Sequence, residues 1–126
     1  MSRKILLIDD EVGFTELLKM NLERTGAYEV RIENDSTKAL ATVRSFMPDA
    51  IILDVVMPGM DGGDVQAQLQ SNPLLARIPV VMLTALVDST ELSEGAVAQA
   101  GSQLVLPKPV NLPLLLNVLE TLLVRA

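Results

Sequence analysis

Four places in this sequence hold side chains able to do chemistry together. Asp9-Asp10-Glu11 follows the apolar run Ile5–Ile8, and Asp54 follows Ile51–Leu53. Thr84 closes the run Val80–Leu83, and Lys108 comes just after Leu104–Leu106. Each residue alone has a plainer role. Asp at a strand end often only forms a turn or caps a helix. Lysine is mostly solvated, and threonine favours strands. Together they suggest more. Asp9, Asp10 and Asp54 in one cleft would raise at least one pKa unless a cation stood beside them. Donors that are all oxygen select Mg²⁺ or a similar hard ion, which keeps waters and leaves room for phosphate oxygens. Lys108 is the only basic residue between Arg77 and Arg125. An ammonium group there suits phosphoryl oxygens. The Thr84 hydroxyl could donate to a bound oxyanion or accept from it.

Composition narrows the chemistry further. The chain has 126 residues, with 16 acidic and 10 basic side chains and a net charge of -6. That length suits one domain, expected over residues 1–126. The absence of cysteine excludes a disulfide framework, a thiol nucleophile and a zinc-thiolate site. The absence of histidine excludes an imidazole base and a facial iron triad. An acidic balance argues against direct nucleic-acid binding, because phosphate backbones select basic faces. No apolar run reaches the ~18 residues of a membrane span. A strand-like run has begun by Lys4, leaving no room for a signal peptide, so a cytoplasmic location is expected.

The elements that must position these residues follow from patterning. The four apolar runs are continuous and rich in Ile, Val and Leu, as in strands buried on both faces of a parallel sheet. Tyr28–Ile32 alternates, which suits a half-exposed edge strand. Between the strands lie helical stripes. Phe14, Leu17, Leu18, Asn21 and Leu22 make the first, stopped at Gly26. Ala39, Leu40, Val43, Phe46 and Met47 make the second, capped by Asp35 or Ser36 and followed by Pro48. A third helix runs from near Gly63 to Leu69 and ends before Asn72-Pro73. Asp88-Ser89-Thr90-Glu91 resembles a capping box and opens a fourth, stopped at Gly101. Asn111 caps a fifth, with Leu112, Leu115, Leu116, Leu119, Leu122 and Leu123 on one face.

Five β-α units in succession imply an α/β fold, a parallel sheet with helices on both faces. The expected architecture is a single-domain, flavodoxin-like, doubly wound (βα)5 sheet of strand order 2-1-3-4-5. In such a sheet ligands bind beyond the carboxyl ends of the strands, where all four chemical positions fall.

At this point the chain resembles a known family, the receiver domain of two-component response regulators. The residues that carry the likeness are Ile8-Asp9-Asp10-Glu11, then Leu53-Asp54-Val55-Val56-Met57-Pro58-Gly59-Met60-Asp61-Gly62, then Thr84-Ala85 and Lys108-Pro109. The resemblance implies the CheY-like fold and a phospho-acceptor, not an enzyme with its own turnover. It implies that Asp54 takes a phosphoryl group from phosphohistidine on a partner kinase or phosphotransfer protein. Asp10, Asp54 and the backbone carbonyl of Val56 would ligate Mg²⁺ directly, with Asp9 acting through a metal-bound water. Lys108 would contact one phosphoryl oxygen, and Thr84 would move to bind another. Because the chain has no histidine, the phosphohistidine must come from another protein. Gly59 and Gly62 are expected to supply tight turns past the acceptor.

The sequence departs from the family pattern in places. Val105 occupies the usual aromatic position before the lysine, and Pro107 replaces a residue with a free N–H. Val56 and Leu86 put apolar groups beside the acceptor and Thr84, which should slow self-dephosphorylation. Leu114 and Val118 fall off the main stripe of the fifth helix. With Val105 they could form an apolar docking or homodimer patch on the face of helix 4, strand 5 and helix 5, although scattered exposed apolar residues are also ordinary. Two other classes were weighed. An aspartate-nucleophile phosphatase would want a second acid where Val56 stands. A flavin-binding protein would want a hydroxyl-rich loop after strand 1, where this chain has Asp9-Asp10-Glu11.

Overall fold

A computed structural model describes residues 2–55, 57, 59–84, 98–100 and 103–124. The strands are β1 (Arg3–Ile8), β2 (Tyr28–Glu33), β3 (Ala50–Asp54), β4 (Val80–Thr84), β5 (Ala98–Ala100) and β6 (Gln103–Pro107). The helices are α1 (Val12–Arg24), α2 (Ala39–Phe46), α3 (Gly62–Gln70) and α4 (Leu112–Val124), with a 3₁₀ turn at Ser36–Lys38 before α2. The sheet order is β2-β1-β3-β4-β6-β5. Its first five members pair in parallel, so the expected 2-1-3-4-5 order stands with β6 as the fifth parallel strand.

Strand alternation divides the core into two layers. Ile5, Leu7, Ile52, Val81, Leu83 and Leu106 face one way and pack with Leu18 and Leu22 of α1 and Leu115 and Leu119 of α4. Leu6, Ile8, Ile51, Leu53, Val80, Met82 and Val105 face the other way, toward Val43 and Phe46 of α2 and Val65 and Leu69 of α3. This is why the strands read as unbroken apolar runs: both faces are covered. Each fully buried Leu or Ile contributes roughly 1.5–3 kcal/mol. By contrast, only Val30 of the alternating edge strand β2 is buried.

The helix ends follow the sequence signals. Gly26, just beyond α1, has φ of 79°, a value that favours glycine. Asp35, one of the two caps expected for α2, instead caps the 3₁₀ turn that precedes it, accepting from the Thr37 N–H at 3.0 Å, and α2 itself starts from Lys38 without a side-chain cap. Asn111 caps α4 by accepting from the Leu114 N–H at 3.1 Å.

Several expectations need correction. Leu17 of the first stripe is 55% exposed, while Thr15 is fully buried. The inward face of α1 is Thr15, Leu18 and Leu22, and Leu17 is turned about 100° away from Leu18. Met47 is not part of the second stripe's buried face. It lies past the last turn of α2 with φ of 49° and is exposed. In α4 the buried positions are Leu115, Val118, Leu119 and Leu123, with Leu112, Leu116 and Leu122 half-buried.

The docking patch drawn from the sequence loses two members. Val118 joins the first core layer, and strand alternation sends Val105 into the second. Leu114 alone of the three is half-buried. The fourth helix was expected to reach Gly101, but Ala98–Ala100 is a strand, antiparallel to β6, with Ala100 opposite Gln103. Gly101, expected as the helix stop, lies outside the described residues. The rest of that helix, together with Ala85, Leu86, Val56 and Pro58, lies outside the described residues.

Candidate functional site

The site is assembled at the carboxyl rim of the parallel strands. Asp9 directly follows β1, and its N–H donates to the Glu33 carbonyl at 3.2 Å, continuing the ladder to β2. Its Oδ1 accepts from the Glu11 N–H at 3.0 Å, closing a tight acid turn. Asp54 is the last residue of β3 and pairs in register with Leu83. Thr84 ends β4 opposite Pro107. Pro107 has no N–H to give, and the next residue supplies the bond instead: the Lys108 N–H donates to the Thr84 carbonyl at 3.0 Å. The backbones of Thr84 and Lys108 are thereby tied together.

Asp9, Asp54 and Thr84 are all buried, at 3%, 4% and 4% exposure. Buried carboxylates need partners, and Lys108 supplies one. Its Nζ lies 2.7 Å from Asp9 Oδ2, 2.8 Å from Glu11 Oε1 and 3.6 Å from Asp54 Oδ2. It also stands 4.6 Å from the centre of the Phe14 ring, within cation–π range. Burial by itself would lower the lysine's pKa. The hydrogen bonds to Asp9 and Glu11 and the charges of Asp9 and Asp54 outweigh it, and the pKa is raised. Lys108 is therefore a fixed positive charge at any physiological pH.

Carboxylate oxygens of Asp9, Glu11 and Asp54 all lie within 4.8 Å of one another. Three hard oxygen donors so close together suit a divalent cation of the Mg²⁺ type. Asp10 is exposed and is not a member of that group, whereas Glu11 is. In the sequence Glu11 stands only as the end of the acid run. Its signal is its place directly after the two aspartates, but which of three consecutive acids reaches the cluster depends on the backbone turn.

The loop after Asp54 is held close by glycine. Gly59 has φ of 83° and fits the expected tight turn. Gly62 has no left-handed backbone; it is required for space. A Cβ there would meet the Asp54 carbonyl oxygen at 2.5 Å and Val55 Cα at 2.8 Å. The Gly62 N–H also donates to the Val55 carbonyl at 2.8 Å. The start of α3 thus presses against the backbone that carries Asp54, and Asp61 and Asp64 secure it with a reciprocal capping box.

Residues 5–120 match the family model described as the response regulator receiver domain. The chain belongs to that family. Among curated relatives, the DNA-binding response regulator MtrA of Mycobacterium tuberculosis is 34% identical over 113 residues, 89% of this chain and 48% of that protein. The chain thus spans about half the length of this relative. Among solved structures, the signal receiver domain of a signal transduction histidine kinase from Syntrophus aciditrophicus is 31% identical with a TM-score of 0.83, covering 99% of this chain and 92% of that one. Vibrio cholerae chemotaxis protein CheY4 is 30% identical with a TM-score of 0.80, covering 97% and 99%. Receiver domains are signalling modules of two-component systems, not enzymes in the usual sense. Among the described residues no helix is long and apolar enough to cross a membrane.

Proposed function

We propose that Asp54 is the phosphoryl acceptor of this receiver domain, and that the phosphoryl group comes from a phosphohistidine of a partner kinase or phosphotransfer protein. One observation carries the reading: Asp54 is buried at the end of β3, with the Lys108 ammonium 3.6 Å from its Oδ2. A carboxylate oxygen of Asp54 attacks phosphorus as the P–N bond to the donor imidazole breaks. The imidazole leaves with that electron pair and takes up a proton from water. Charge neutralisation and in-line positioning carry most of the catalysis in such a transfer.

Asp9, Asp10 and Asp54 with the Val56 carbonyl would hold Mg²⁺, and Glu11 is near enough to join them. When bound, Mg²⁺ supplies charge that neutralises the transferring phosphoryl oxygens. Lys108 leans from Asp9 toward a phosphoryl oxygen on Asp54, and Phe14 limits where its ammonium can go. Thr84, at the end of the neighbouring strand, offers its hydroxyl to another oxygen. Its backbone bond to Lys108 couples the two responses. Output passes to an effector or second copy through a surface that phosphorylation reshapes. Incubation with acetyl phosphate and Mg²⁺ tests the reading: the intact mass should rise by a single phosphoryl group, and EDTA should abolish the gain. No gain under these conditions would refute it.

A further inference from the structure

The acid turn after β1 is held from outside by two residues with no place in the site described so far. Asn34 immediately follows β2. Its amide nitrogen donates to the Asp9 carbonyl at 2.7 Å and to Thr15 Oγ1 at 3.1 Å. Thr15, in the first turns of α1, is fully buried. Its hydroxyl lies 3.2 Å from the Glu11 carbonyl and 3.0 Å from the Val12 carbonyl. A hydroxyl has one proton to give. Thr15 therefore donates into the carbonyls that open α1 and accepts from Asn34. The chain of bonds runs from the end of β2, through both side chains, to each end of the turn that carries Asp9, Asp10 and Glu11.

A buried polar network of this kind has to be fully satisfied, because an unpaired member costs free energy. Here Asn34 and Thr15, joined to each other, both bond backbone carbonyls at the acid turn or the start of α1. Inside the turn the Glu11 N–H donates to Asp9 Oδ1, and from the site side Lys108 bridges the Asp9 and Glu11 carboxylates. Asp10 and Glu11 have exposed side chains, so where the backbone is held sets where Asp10 points and whether Glu11 comes within reach of Lys108.

We infer that Asn34 and Thr15 are positioning residues: together they lock the Asp9–Glu11 turn so that its carboxylates converge on the site beside Asp54. The inference rests on reading that cluster as the cation and phosphoryl site. Residues that orient ligands from behind commonly change metal affinity about 10–100-fold when removed.

The test uses the full chain carrying Thr15→Val, which keeps shape but removes the hydroxyl, Asn34→Ala, or Thr15→Ser, which restores the hydroxyl. Two readouts are taken. Calorimetric titration gives Mg²⁺ affinity, and hydrogen exchange in EDTA gives protection of the Glu11 amide. Thr15→Val and Asn34→Ala should each weaken Mg²⁺ binding about tenfold. They should also speed exchange of the Glu11 amide without speeding that of the β3 amides, and Thr15→Ser should match the parent chain. Unchanged Glu11 exchange in both variants, or a Thr15→Ser chain as impaired as Thr15→Val, would overturn the inference. The exchange readout needs neither metal nor phosphoryl donor. If the parent chain takes no phosphoryl group while Glu11 exchange still follows the brace, the functional reading fails and the brace stands.

Discussion

Lys108 leans on Asp9 more closely than on Asp54: its Nζ is 2.7 Å from Asp9 Oδ2 and 3.6 Å from Asp54 Oδ2. The ammonium thus sits among the same carboxylates that a divalent cation would use. On the proposed function, lysine and metal would compete for Asp9 while cooperating at a transferring phosphoryl group.

Replacing Lys108 with Met removes the competitor but keeps an unbranched stem of similar length. Mg²⁺ affinity should rise several-fold, since a unit charge is lost at close range. Phosphorylation by acetyl phosphate should nonetheless slow by at least ~10-fold, because the phosphoryl oxygens lose a fixed cation. Calorimetry and intact mass against time measure the two effects. Equal losses in both would mean that Lys108 only shapes the site.

The raised pKa of Lys108 has a defined consequence for stability. A group whose pKa is higher in the folded state stabilises that state fully below its unfolded value, about 10.4 for lysine. The contribution fades as pH climbs through the folded value. Denaturant unfolding from pH 7 to 11 should therefore show Lys108→Met and the parent chain running parallel up to about pH 10 and converging above it. Divergence between pH 7 and 9 would place the titration elsewhere.

Gly62→Ala tests the contact beneath Asp54. Its methyl group would meet backbone at 2.5 and 2.8 Å, and backbone cannot swing aside as a side chain does. Overpacking of this kind costs about 1–3 kcal/mol, which should lower the melting temperature by several degrees. Phosphorylation should slow as well, because the strand end carrying Asp54 must shift. An unchanged melting temperature would show that α3 can slide away freely.

How much of this was legible in the sequence depended on the length scale of the cause. Parallel strands covered on both faces announce themselves as apolar runs, so β1, β3, β4 and β6 were readable, while their order came from the flavodoxin-like pattern of five β-α units. The residues ending those strands were readable for the same reason, which located Asp9, Asp54, Thr84 and Lys108. What the sequence hid was set by single turns. Glu11 joins the cluster because the Asp9 side chain folds back onto its N–H. Gly62 serves close packing where the pattern suggested a turn, and only the position of α3 against β3 reveals it. Thr15 lies outside the apolar stripe read for the first helix, yet it is buried, with Asn34 reaching it from a distant segment. Val105 looked like surface until strand alternation turned it toward Val80 and Met82.

The most direct test of the account is to locate the modified residue. The chain is treated with acetyl phosphate and Mg²⁺, reduced with borohydride, which converts an aspartyl phosphate to homoserine, and digested for peptide mass analysis. Homoserine at position 54 alone, absent from Asp54→Asn, is the predicted result. Homoserine at position 9 or 10, or unmodified Asp54 in a chain that has gained phosphate, would contradict it.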